Sequence, residues 1–323
     1  MADRIAEGMT RSSMVDVAGV GLNATDTIIP VPEYPARGSK VTFRSANVLP
    51  GGQVASAVAA CQTWGLRTRY VGKVGDDAAG ELHRAEFARL GVEARLVIAQ
   101  GCPSQQAFIL VDDKGERTVL WKRDERLTLQ PAELQREWVV DARVLHVDGH
   151  DTAAAALAAG WAREAGVPVV ADLDELYPGV EELLPKLDYF VASRDIPGRL
   201  TGERDLRKAL LEVKRKYGCL LAAATLGEEG VLAWDGTTFW SAAAYRVKVV
   251  DSIGAGDIFH AGFIYGLLQK WPLQRQLDFA CAAAALNCMA VGARGGIQAV
   301  ERIEKLMGSG ERYSSGLSQS LRR

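Results

Sequence analysis

Residues 249–261 read Val-Val-Asp-Ser-Ile-Gly-Ala-Gly-Asp-Ile-Phe-His-Ala, and an apolar stretch from Gly262 to Leu268 follows at once. A short β-branched segment feeds a tight Gly-x-Gly turn, and the turn opens a helix with Asp257 in its first turn. The first N–H groups of a helix have no partner within it, and the helix dipole adds partial positive charge there. Gly254 and Gly256 lack Cβ atoms, so the backbone of Gly254, Ala255 and Gly256 can close on an anion such as a phosphate. Asp257 projects toward the same point. A hydroxyl held between this carboxylate and the anion has a proton acceptor beside it and a phosphorus atom in line. The dipole predicts a lowered pKa for Asp257, hence a weak base. Phosphoryl transfer tolerates one, because a loose transition state asks mainly for positioning and charge stabilisation. Taken alone, the same residues also describe a plain turn with a favourable first-turn acid.

The segment Asp251–Asp257 resembles the Asp-Thr-x-Gly-Ala-Gly-Asp signature of the ribokinase-like carbohydrate kinases, the PfkB family, with Ser252 where threonine is usual. Residues 50–80 resemble the family's N-terminal signature: Gly51-Gly52, a small-residue helix, then Val74-Gly75-Asp76-Asp77-Ala78-Ala79-Gly80. The resemblance implies an ATP-dependent kinase of a small hydroxylated substrate, most simply a sugar, with ATP and Mg²⁺ as cofactors. It implies that Asp26 bonds sugar hydroxyls, that the backbone of Gly51 and Gly52 approaches the sugar, and that Gln53 is a second contact. Four residues past the second glycine the family has asparagine; Ser56 stands here, so the substrate stays open. Thr225-Leu226-Gly227-Glu228-Glu229-Gly230 matches the family's nucleotide turn, which places Thr225, Gly227 and Gly230 along ATP. Asn287 matches a position near adenine. Residues 291–296 resemble a loop that holds a monovalent cation such as K⁺, with Asp251, Ile253, Ala290, Ala293 and Gly295 supplying oxygens. The family's Asn-x-x-Glu, which orders phosphates and Mg²⁺, is Ser193 and Ile196 here. Ser193 keeps the nucleotide-site position, Asp195, Asp172 and Asp174 are acidic substitutes, and Mg²⁺ can be held through water and phosphate oxygens.

These residues need a scaffold, and the chain alternates strand-like with helix-like segments. The strands expected are 14–21, 68–74, 143–147, 167–172, 189–192 and 219–225; the helices are 54–64, 79–90, 152–165, 180–187 and 206–217. This βαβ rhythm predicts a mostly parallel sheet covered on both faces. Two regions break it. Residues 27–46 carry Pro30, Pro32 and Pro35 and then the alternating Lys40-Val41-Thr42-Phe43-Arg44, and residues 106–121 form a hairpin about Asp112–Gly115. Both predict antiparallel strands outside the main sheet, which in the resembled family form a lid over the sugar and pair two subunits. The expected architecture is an α/β, three-layer ribokinase-like fold with a mostly parallel central sheet and a small β lid. Residues 14–26, 48–105 and 122–308 make the main domain, 27–47 and 106–121 the lid, and 309–323 a loose Ser-rich tail. A homodimer through the lid follows from the resemblance.

Other motifs are weaker. Gly19-Val20-Gly21-Leu22-Asn23-Ala24 imitates a dinucleotide turn, but an extended stretch follows it where a helix is required. No Gly-x-x-x-x-Gly-Lys-Ser/Thr occurs, which excludes a P-loop. Lys122-Arg123-Asp124 lacks the asparagine of a protein-kinase catalytic loop; Arg123 is a candidate for an acidic or phosphorylated substrate. His260 reads as a packed helix residue, and Asp76 and Asp77 as structural or ligand-binding.

The 323 residues, 48% apolar and 24% charged, suit a soluble globular chain, and a net charge of −2 offers no basic face to nucleic acid or anionic membrane. No apolar run approaches the ~18 residues of a membrane span. Five scattered cysteines without a Cys-x-x-Cys, and no secretory apolar segment, predict a reduced, cytoplasmic setting. Two rivals remain: a nucleoside kinase of the same fold, with Phe43, Phe108 and Trp121 forming an aromatic slot, and a non-catalytic sugar-binding relative.

Overall fold

Near-continuous apolar runs with β-branched residues or alanine form the central strands, as burial on both faces requires. The computed structural model describes residues 14–113 and 117–314. It begins with β1 (Val15–Val20), β2 (Ala24–Pro30), β3 (Asn47–Gly51), α1 (Gln53–Thr63), β4 (Thr68–Gly75), α2 (Ala78–Leu90) and β5 (Glu93–Ala99). A hairpin of β6 (Gln106–Val111) and β7 (Arg117–Lys122) follows, then α3 (Glu137–Val140), β8 (Ala142–Asp148), α4 (Thr152–Glu164), β9 (Val169–Leu173), α5 (Val180–Leu183) and β10 (Tyr189–Ser193). The last third holds α6 (Ile196–Thr201), α7 (Leu206–Tyr217), β11 (Leu221–Thr225), β12 (Val231–Trp234), β13 (Phe239–Ala242), α8 (Ala255–Leu268), α9 (Leu273–Asn287) and α10 (Val300–Ser309).

Nine strands form one sheet in the order β13-β12-β11-β10-β9-β8-β1-β4-β5. Its pairs are parallel from β5 to β11 and antiparallel at β12 and β13. Alternation along each strand divides the core. Ala18, Leu145, Ala171, Ala192 and Ala224 pack with Ala155 of α4, Leu183 of α5 and Leu210 of α7. Val17, Val144, Val170, Val191 and Ala223 face the other way, onto Ala57 of α1, Phe263 of α8 and Phe279 of α9. The expected three-layer α/β fold is present.

The second sheet, β3-β2-β6-β7, is the lid. β2 pairs β3 antiparallel and β6 parallel, so the lid is not wholly antiparallel as expected. Its inner face sets Ile28, Ala107 and Ile109 against Ile253 and Val291 of the main body. The alternating stretch Lys40–Arg44 is not a strand. Its residues are exposed without a pairing neighbour, and the strand forms instead at Asn47–Gly51, where β2 supplies backbone partners. Of the expected tail, Arg312 bridges to Tyr245, and its guanidinium donates to Ala243 O and pairs with Asp278; residues 315–323 lie outside the described residues.

Candidate active site

A loop from β13 delivers the chain to α8. Gly254 caps the helix at φ 75°, and a Cβ there would stand 2.4 Å from the Ala293 carbonyl oxygen. Both constraints demand glycine. The Ala255 N–H reaches the Ser252 carbonyl at 3.3 Å, whereas the N–H groups of Gly254 and Gly256 meet no acceptor among the described residues. Ala255 and Gly256 line a cleft of about 650 Å³ together with Asp251, Ser252, Thr225, Gly227 and Gly230. Apolar side chains, among them Phe259, Ala284 and Ala285, complete the lining. Ser193 and Thr225 are register partners at the carboxyl ends of β10 and β11. Ligands of open α/β sheets bind at that end.

Asp257 stands one residue past the glycine turn, half-buried. Burial, with the carboxylates of Asp172, Asp174 and Asp26 adding to it, holds its pKa well above the ordinary carboxylate range; His260 opposes the shift. The lowered pKa expected from the helix dipole is thus reversed. A dipole contributes a fraction of a kcal/mol to about 2 kcal/mol, less than burial plus like charges impose here. His260 is packed as expected: its Nδ1 lies 2.8 Å from Gly256 O and 3.2 Å from Asp172 Oδ2, and its Nε2 lies 3.3 Å from Val191 O.

The expected sugar contacts fall beside this acid cluster. Asp26 sits on β2, buried, its pKa raised to about 7 by burial, with Arg294 opposing and Asp251 adding. Gly51 lies against it, since a Cβ on Gly51 would meet Asp26 Oδ2 at 2.1 Å. Gly52 precedes α1 at φ 93°. The side chain of Gln53 lies beside the carboxylates of Asp172 and Asp174 and opposes the rise of their pKa values. Two expectations change. Ser56 is fully buried, and its Oγ accepts from Arg294 Nε at 3.2 Å; the short side chain is covered by the arginine. Arg123 donates to Asp151 Oδ1 at 2.5 Å and to Leu127 O at 3.1 Å, and its Nη1 lies 2.6 Å from His150 Nδ1. Its charge is answered inside the chain.

Residues 14–299 match the pfkB family of carbohydrate kinases. The chain belongs to this family. It is 30% identical to the ATP-dependent ribose-1-phosphate kinase of Halopiger xanaduensis over 287 residues, covering 87% of this chain and 94% of the relative. A candidate ribokinase from Agrobacterium tumefaciens superposes with a TM-score of 0.84 at 27% identity, covering 96% of this chain and 99% of that one. Arabidopsis thaliana ribokinase complexed with ribose and ATP superposes at 0.78 with 23% identity, over 92% and 99% of the two chains. The pfkB kinase described here is accordingly an ATP-dependent phosphotransferase acting on a hydroxyl of a small sugar.

Asn287, expected beside adenine, is fully buried in this kinase. Its Nδ2 donates to the carbonyls of Ile253 and Ala293 at 3.3 and 3.1 Å, and its Oδ1 accepts from Gly296 N–H at 3.2 Å. α9 ends against the two loops, and the side chain satisfies backbone that would otherwise be buried without partners. The side chain of Asp251 also joins those loops, accepting from the N–H groups of Ile253 and Gly292. Two of the five oxygens expected to hold a monovalent cation, those of Ile253 and Ala293, therefore already accept from Asn287. Among the described residues no three His, Cys, Asp or Glu side chains converge as a metal cage. Asp76 and Asp77 are structural: they accept from Gly101 N–H and from Gly80 N–H and Ser104 respectively.

Three features were missed from the sequence. Arg117 on β7 donates to Ser252 Oγ at 2.5 Å, and Asp112 and Asp113 of the lid turn line the cleft beside α8. Arg294 reaches from the loop after α9 to Ser56 and Gly51. These contacts span 135 residues for Arg117 and 238 for Arg294 to Ser56, and no local pattern announces them. The aromatic slot imagined for a nucleoside does not form within one chain. Phe108 and Phe43 are exposed, Phe108 on the lid's outer face, while Trp121 pairs in register with inward Ala107 and packs edge-on to His150.

Proposed function

We propose that Asp257 accepts the proton of the attacking sugar hydroxyl while the Gly254, Ala255 and Gly256 amides stabilise the charge on the transferred phosphoryl. One observation carries this reading: Asp257 and two unengaged glycine amides stand together at the mouth of α8, beside a cleft large enough for a nucleotide. The raised pKa of Asp257 makes its ionised form a stronger acceptor than an ordinary carboxylate. Asp26 orients sugar hydroxyls, with the Gly51–Gly52 backbone against the ring. Thr225, Gly227, Gly230 and Ser193 follow the nucleotide. Mg²⁺ bound to the ATP phosphates supplies charge neutralisation. A K⁺ ion at the 290–295 loop would share the Ile253 and Ala293 carbonyls with Asn287 and stiffen the glycine turn. The enzyme works in the cytoplasm as a homodimer joined through the lid, whose outer face exposes Val48, Phe108 and Leu120.

The test is ADP release over a panel of sugars. Asp257→Asn is expected to lower kcat by about 10²–10⁴-fold, with unchanged circular dichroism and ATP affinity. The wild-type rate should fall on acidification through a pKa above the usual carboxylate range, because the base must be ionised. Near-normal turnover in Asp257→Asn refutes the assignment.

A further inference from the structure

Arg294 lies half-buried beside the expected sugar contacts and, among the described residues, forms no ion pair; Glu86, Asp257 and Asp26 act on its charge only from a distance. Its Nε donates to Ser56 Oγ at 3.2 Å and its Nη2 to Gly51 O at 2.9 Å, both neutral acceptors. Its Nη1 is buried and meets no acceptor among the described residues. The guanidinium carbon lies 5.6 Å from the centre of the Phe87 ring, so one face is packed on an aromatic. Nearby Glu86 is committed to Arg89, which grips it through Nε and Nη2 at 2.8 and 2.9 Å. Two other arginines are treated differently. Arg69 pairs with Glu93 and Arg123 with Asp151. A buried cation without a partner is costly, and proteins pair such charges or use them to bind.

The place of this charge fixes its use. Gly51 and Ser56 are expected sugar contacts, and the Asp26 carboxylate lies against Gly51, near enough for its charge and that of Arg294 to act on each other. Ser56 is wholly buried and its hydroxyl accepts from the guanidinium, so the arginine is the charged group at this expected contact. We propose that Arg294 reads an anionic substituent, a phosphate or a carboxylate, on the sugar that this kinase phosphorylates. A guanidinium presents several donors in a planar fork suited to either oxyanion. The inference rests on the kinase reading and adds the class of acceptor to it. It also sets orientation: the anionic group lies at Arg294, and the hydroxyl that is phosphorylated lies at the far end, toward Asp257.

The experiment compares ribose, ribose 1-phosphate, ribose 5-phosphate and gluconate as acceptors, reading ADP release for wild type, Arg294→Met and Arg294→Lys. Wild type is expected to favour an anionic acceptor over ribose by at least about 100-fold in kcat/KM. The sugar phosphates and gluconate tell which oxyanion is read. Arg294→Met should erase that preference through KM, losing at least about 30-fold more kcat/KM on the preferred anionic acceptor than on ribose, and Arg294→Lys should restore part of it. A wild-type preference for ribose, or an equal loss on all acceptors in a folded Arg294→Met that binds ATP normally, overturns the proposal. Should Arg294→Met fail to fold, the wild-type preference and Arg294→Lys decide. Absence of ADP release with every acceptor would count against the kinase reading alone. Calorimetric binding of ribose 5-phosphate and gluconate to wild type and Arg294→Lys then tests the anion claim by itself: binding at least about tenfold tighter than ribose supports it, and no preference over ribose overturns it.

Discussion

At the scale of single residues, the site is governed by carboxylates held close together out of water. Asp26 has a pKa raised to about 7, chiefly by burial. A carboxyl whose folded pKa exceeds its unfolded value near 4 contributes stability that is fully present below that unfolded value. The contribution is lost as pH rises through about 7. The ligand-free protein should therefore lose stability between pH 4 and 8. Asp26→Asn should flatten that decline and raise the melting temperature at pH 8, by a stabilisation on the order of 2 kcal/mol. Calorimetric melting across this range checks it, and an unchanged slope removes Asp26 as the cause. The sequence pointed to Asp26 through its resemblance to the family, and to Asp257 through the glycine turn as well. It could not give their pKa values. Those depend on Asp172, Asp174 and Arg294, which the fold brings in from other strands and loops.

At the scale of elements, the decisive unit is a helix mouth clamped by a loop. The turn that opens α8 has no regular neighbour along the chain, yet the Ala293 carbonyl fits against Gly254 with no room for a Cβ. Asn287, the last residue of α9, ties the two loops by three hydrogen bonds. Asn287→Ala removes all three in a fully buried place. It is expected to destabilise by about 2–4 kcal/mol, given ~1–3 kcal/mol for each buried group left unsatisfied, offset in part by relaxation. ATP affinity should drop about tenfold because the glycine turn loosens, although Asn287 itself is fully buried. Urea denaturation and an ATP titration measure both; a weakened ATP affinity with unaltered stability would return Asn287 to the adenine site. Helices α1, α2, α4, α7, α8 and α9 and the parallel strands β1, β4, β8, β9, β10 and β11 were legible because their apolar patterns are strong and continuous, whereas α3, α6 and α10 were not. β5, β12 and β13 were not, being short or half-exposed strands at the sheet's two ends. The alternation at Lys40–Arg44 misled because alternation without a backbone partner makes no strand.

At the scale of the whole molecule, the lid presents two faces with different fates. Its inner residues seal against the main body, but Val48, Phe108 and Leu120 line up across β3, β6 and β7 with Thr27 of β2 between them. They are 55%, 46% and 58% exposed. An apolar row of this kind suits the lid-to-lid contact proposed above. Phe108→Asp with Leu120→Lys should halve the mass seen by sedimentation without unfolding the main domain; an unaltered mass places the subunit contact elsewhere or removes it.

The sequence by itself determined the chemistry and its scaffold. A Gly-x-Gly-Asp at a helix start needs only local backbone geometry, and a βαβ rhythm needs only local periodicity, so both could be read along the chain. Tertiary structure alone decided which charges are answered and which are left waiting. Arg123 found Asp151, Ser56 was buried, and Arg294 crossed from the far end of the chain to bind Ser56 and Gly51 with one nitrogen left without an acceptor. Electrostatic partnership depends on distance and burial in space, and neither can be computed from spacing in sequence.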